Sequence, residues 1–233
     1  MLTIKENWNP LQRELKNALA CGDAEQAKAI ACQLHGLVHT ASVSNRREKT
    51  FQDEILGDVS ERAFRHLCSP KYQGYRTLAF FVFHMTRIED ICANVLIAND
   101  KQVIFESAWL QQMNIPFQDT GNAMTENEMK LFSASINREA LLAYRRSVGR
   151  KTQKIIQRIT ASQLKTRPDR QQIARVLSEK SVLEHRDSIW LLDYWQKKNI
   201  GGLLMMPLTK HQILHLNDCL EIIKKGKRIS QSC

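Results

Sequence analysis

Glycine and proline are scarce in this chain, nine and five among 233 residues. Glycine loosens regular structure and proline removes a backbone donor, so a chain with few of either suits long helices better than many short strands joined by turns. No stretch alternates apolar and polar residues long enough to read as a strand. Long apolar runs are also missing. The longest, LAFFVF at 78–83, falls far short of the roughly 20 residues a membrane-crossing helix needs. The first residues, MLTIKENWNPLQREL, lack a basic start followed by an apolar stretch. No secretory signal is therefore expected, and the cytoplasm is the expected compartment. None of the six cysteines forms a C-x-x-C pair, which argues against a thiolate zinc site or a thioredoxin-like motif. They are read as small buried hydrophobes. There is no internal repeat and no low-complexity tract.

What remains is an ordinary globular composition, 43% hydrophobic and 25% charged, of a length that fits one domain over residues 1–233. The net charge is +10. Eleven Lys/Arg against Asp169 and Glu179 fall between Arg145 and Lys180, and Lys224, Lys225, Lys227 and Arg228 form a second cluster. No nucleic-acid motif accompanies these charges, so a solvated helix face is the reading adopted and a nucleic-acid partner is not expected.

Apolar spacing and breakers predict helices over 9–20, 24–42, 51–67, 76–98, 104–113, 125–136, 138–159, 168–180 and 185–197, with a last helix after LLMMP. Thr125 with Glu128 and Thr209 with Gln212 fit capping boxes, and Gly201–Gly202 reads as a break. In the first half of 76–98 apolar residues occupy nearly every side, the mark of a helix central to a bundle. The expected fold class is all-α, a four-helix-bundle core with additional helices.

Of seven histidines, two pairs are four apart, His35/His39 and His211/His215. On a helix that spacing puts two imidazoles on one face, able to share an ion. The second pair lies near an expected helix N-terminus, whose positive end favours the neutral imidazole that a metal requires. His84 sits mid-helix among apolar residues, where it needs a polar partner or a metal.

The stretches FHMTRIEDICANVLIA and MPLTKHQILHLNDCL, with TGNAMTENE, AYRRSVGRKT and WLLDYW between them, resemble the DinB superfamily of metal-binding helical bundles. The likeness runs from about Leu34 to Ile223. It implies a four-helix core with a pocket at one end, where His84, His211 and His215 bind a divalent metal. Zinc is the plainest ion for three imidazoles, with nickel, cobalt, iron or manganese also suited. Residues 101–135 look additional to the family's simpler members and could cover the pocket. Three imidazoles leave a position open on the ion, as catalytic sites do. The resemblance implies a thiol S-transferase that joins a low-molecular-weight thiol, such as bacillithiol or mycothiol, to an electrophile. Family members often dimerise, so a homodimer is open. His39 and Arg87 are the candidate pocket or supporting residues, Arg87 for a carboxylate of the thiol, although packing is the first reading for His39 and surface exposure for Arg87. Asp218 and Cys219 share the last helix's inner stripe with His215. The alternatives are a non-enzymatic bundle with a structural or vestigial metal site, and a metal-dependent hydrolase.

Overall fold

Side-chain capping sets where the helices begin. A computed structural model describes residues 2–66 and 75–231, and among the described residues the regular elements are all helical. Helix α1 (Asn9–Cys21) closes at Gly22 in the left-handed conformation, φ 78°, a geometry glycine adopts at little cost. Asp23 accepts from the Gln26 N–H to open α2 (Ala24–Val38). Thr50 and Asp53 form a capping box for α3 (Phe51–Leu56), and α4 (Glu61–His66) follows as a separate helix. The single helix expected over 51–67 is therefore two, and its last residue lies outside the described residues.

Thr77 caps α5 (Leu78–Asp90), which runs on as the π-helical segment Ile91–Ile97. After the short α6 (Trp109–Met113), the Thr125/Glu128 capping box opens α7 (Glu126–Ser135), and Asn137 opens α8 (Arg138–Arg158). A further short helix, α9 (Ala161–Lys165), begins at a Thr160/Gln163 capping box. Asp169 caps α10 (Arg170–Ser178) and His185 caps α11 (Arg186–Gln196).

Two expectations fail toward the C-terminus. Gly201 and Gly202 lie inside α12 (Ile200–Met205), capped by Asn199, and do not break the chain. Thr209 is not a cap. It sits within the π-helical turn Met206–Lys210, its hydroxyl donating to the carbonyls of Leu204 and Met205 at 2.8 and 2.9 Å, and the helix continues as α13 (His211–Gln231). Pro207 accounts for the wide turn, because proline lacks an N–H and crowds the preceding turn, and one π-type turn absorbs both. His211 therefore follows unbroken helical backbone, and its protonation state is set by burial rather than by a helix end.

Helix α5 packs on α8 and α13, and α2 packs on the same two. Every residue of α5 and of 91–97 is buried, which is why apolar residues surround this element on all sides. The first residue of the basic stretch, Arg145, points inward and is fully buried, whereas Arg150, Lys154 and Arg158 are exposed. Among the described residues no helix is long and apolar enough to cross a membrane.

Candidate metal centre

The packing of α5 against α13 brings His84 to His211 and His215. Ring centres are 5.1 Å apart for His84–His211 and for His84–His215, and 4.5 Å for His211–His215. One ligand atom from each of the three lies within 4.8 Å of the others, so the group could hold a metal ion.

Hydrogen bonds assign the tautomers. His84 Nδ1 lies 2.8 Å from the Thr120 carbonyl. A carbonyl only accepts, so Nδ1 carries the proton and Nε2 presents a bare lone pair. His215 Nδ1 lies 3.0 Å from Asp218 Oδ2, and the carboxylate fixes the proton on Nδ1 in the same way, the arrangement found behind metal-bound imidazoles. His215 Nε2 then faces His211 Nε2 at 3.1 Å. That separation is what two nitrogens at about 2.0–2.1 Å from one ion adopt at an angle of roughly 100°. The buried His211 Nδ1 has no hydrogen-bond partner among the described residues.

Burial lowers the His84 pKa to about 3, and the neighbouring His215 and Arg76 add to the fall. His211 is held well below its ordinary value, again by burial first and then by His215 and His84. Both rings are neutral near pH 7, as ligation requires. Phe80 stacks on His84 with ring centres 5.5 Å apart, and Phe81 packs on His215 at 5.1 Å, so aromatic carbon covers one side of the cluster while His211 and His215 stay partly exposed.

Residues from the segment expected to be additional build part of the site. Thr120 orients His84. Gln118 accepts from Arg87 Nε at 2.8 Å, and the Asp90 carboxylate accepts from the N–H groups of Val103 and Ile104 at 2.8 and 3.0 Å. Arg87 is not at the histidines and is not exposed. Its guanidinium also donates to Asp90, Tyr144 and Gln102 at 2.9, 2.8 and 2.7 Å, in a fully buried network that leaves little of it for a ligand.

His35 and His39 form a second, wholly buried group with Glu89 that could hold an ion by distance alone. Glu89 bridges them, Oε1 to His35 Nε2 at 2.7 Å and Oε2 to His39 Nε2 at 2.8 Å. Gln153 Nε2 lies 2.9 Å from both the Cys32 carbonyl and His35 Nδ1. The carbonyl fixes that amide as a donor, so His35 Nδ1 accepts and its Nε2–H donates to Glu89. The lone pair that faces the cluster in the first group faces away from Glu89 here. Burial depresses the His39 pKa to about 3, with Glu89 opposing and Arg145 assisting. Gly149 on α8 makes the space: a Cβ there would come within 2.7 Å of His39 Nδ1. His39 therefore belongs to this second group and not to the His84 cluster.

Of the described cysteines, Cys92 and Cys219 are buried and Cys32 is partly buried, whereas Cys21 is exposed at the end of α1 and departs from the expectation of a buried hydrophobe. Burial raises Cys32 to about 11 and pushes Cys92 and Cys219 further up, so none of these three is a thiolate near pH 7. Of these side chains, spacing pointed to the histidines, and Asp218 was visible as a neighbour of His215 three residues on. Thr120 and Glu89 carried no local signal. No family model matches the chain, and no curated protein matches it.

Proposed function

We propose that the protein is a divalent-metal enzyme of the DinB type, with His84, His211 and His215 as the ligands and a low-molecular-weight thiol and an electrophile as substrates. The observation that carries the metal is the pairing of tautomers and distance. Thr120 and Asp218 leave two imidazole lone pairs pointing inward, two Nε2 atoms face each other at 3.1 Å, and burial keeps His84 and His211 neutral. A proton on His211 Nε2 can bridge that gap as an N–H···N hydrogen bond to His215, and a divalent ion can take the proton's place between the same two nitrogens. The ring packing of α2, α8, α5 and α13 is compatible with the four-helix core that the family resemblance implies.

A divalent ion held there supplies a Lewis acid that keeps a bound thiol ionised at neutral pH. The chain's own residues would hold that ion through His84, His211 and His215, while Thr120 and Asp218 fix the outer ring nitrogens of His84 and His215 and Phe80 and Phe81 cover part of the cluster. The raised pKa values of Cys32, Cys92 and Cys219 favour a nucleophile brought by the thiol substrate over any of those three side chains. Zinc is the ion that best suits three imidazoles with an open position.

The test is conjugation of cysteine, bacillithiol or mycothiol to a chromogenic haloarene by zinc-loaded protein. Turnover is expected to vanish with a chelator, to return with zinc and to be absent in His211→Ala. Conjugation that survives metal removal contradicts the reading, and metal-dependent ester cleavage without any thiol replaces it with hydrolysis.

A further inference from the structure

One cation beside the histidine cluster has no ion-pair partner among the described residues. Arg76 lies just before the Thr77 cap of α5, so Arg76, Phe80 and His84 follow at intervals of four residues. The guanidinium carbon sits 4.8 Å from the centre of the Phe80 ring, and the same ring stacks on His84 with planes 14° apart. Phe80 is pinned in turn, because Gly121 (φ 76°) lies against it so closely that a Cβ would come within 3.0 Å of its edge. A guanidinium held over an aromatic ring can keep N–H groups for a ligand, and such N–H groups match a carboxylate in fork-to-fork geometry.

The electrostatics agree with that placement. Arg76 is half-buried, and burial lowers its pKa, while Asp187 acts on it only through space. No carboxylate among the described residues forms an ion pair with it. Its charge reaches the cluster, where it contributes to the depressed pKa of His84. The acids around the site are engaged: Asp218 accepts from His215, Glu89 accepts from His35 and His39, and Asp119 accepts from the Gly121 N–H at 2.7 Å. Arg87 is committed to its own buried network.

We propose that Arg76 is the anion-recognising half of the site, so that the thiol substrate carries a carboxylate which Arg76 binds while its sulfur end faces His84, His211 and His215. The inference rests on the thiol reading above and adds the class of thiol.

The test uses zinc-loaded full-length protein and calorimetric titration with two matched pairs, 3-mercaptopropionate against 3-mercaptopropan-1-ol and 6-mercaptohexanoate against 6-mercaptohexan-1-ol. At one chain length or both, the acid is expected to bind about tenfold more tightly than the alcohol, the gain of one charge-assisted pair. Arg76→Gln is expected to erase that preference without changing alcohol binding or zinc content, and Arg76→Lys to retain part of it. Equal binding of acid and alcohol by the wild type, or a preference that survives Arg76→Gln, overturns the role of Arg76 and leaves the metal reading standing. Failure of all four thiols to bind protein that does contain zinc overturns the thiol reading and this inference with it.

Discussion

Zinc in excess is expected to raise the melting temperature of the metal-free protein by about 10 °C, and to do nothing to His211→Ala or His84→Ala. An ion that binds only the folded chain stabilises it by RT ln(1 + [L]/Kd), about 4 kcal/mol at a thousandfold excess over Kd. For a chain of this size that corresponds to roughly 2–4 °C per kcal/mol. The ligands come from two helices, His84 from α5 and His211 and His215 from α13, and the unfolded chain separates them by more than a hundred residues, so the site exists only after folding. Removing either His84 or His211 leaves too few imidazoles for tight binding. A scan of the three proteins with and without zinc checks this. An equal shift in all three would place the ion elsewhere.

The second large effect concerns the buried group beneath. Glu89→Ala is expected to cost about 3–5 kcal/mol, the usual penalty for removing one member of a buried charge pair. Glu89 is the acceptor for two imidazole N–H groups and the negative charge that acts on Arg145, whose own pKa burial lowers to about 10. Arg145 donates to Gln52, Thr86, Gln212 and the Val38 carbonyl at 2.8, 3.1, 3.0 and 2.9 Å, so it ties α8 to α2, α3, α5 and α13. Glu89 is the carboxylate that offsets that buried cation, so its removal leaves Arg145 poorly compensated among the described residues. Acid weakens the same group reversibly. The folded His39 pKa of about 3 lies below its ordinary 6.5, so the unfolded chain takes up a proton first. Stability is full above pH 6.5 and falls as the pH drops toward 3, by about 2–3 kcal/mol between pH 6.5 and 4.5 from this residue alone. Urea midpoints of the metal-free protein at pH 7.5, 6.5, 5.5 and 4.5 measure both effects. A midpoint indifferent to acid, or to Glu89→Ala, would remove the group from the account.

Much of the helical framework was legible because capping and breakers act locally. Thr50, Thr125 and Asp169 announce helices within three residues of themselves, and the all-round apolar face of α5 announces its burial. The same local signals misled where tertiary packing outweighed them. Thr209–Gln212 has the spacing of a capping box, yet Pro207 is absorbed in a π-type turn and the helix passes straight through. Gly201 and Gly202 cost helix propensity, but Asn199 and the packed neighbours Leu19 and Leu164 hold them in α12. At the candidate centre, His211 and His215 were readable from one helical turn, whereas the partners that set their chemistry were not. Thr120 lies 36 residues from His84 and Glu89 lies 54 from His35, and no spacing rule reaches across a fold. Arg87 drew attention by being one turn after His84, and the structure commits it to Asp90 and Tyr144 instead. Arg76 drew none, because its nearness to His84 runs through the Phe80 ring.

X-ray absorption at the zinc edge on the zinc-loaded protein is the most direct measurement of the metal centre. Three imidazole nitrogens at about 2.0–2.1 Å with one further light ligand, and loss of that signature in His84→Ala, are the predicted result. A sulfur neighbour at about 2.3 Å, or an imidazole shell unchanged by His84→Ala, would contradict it.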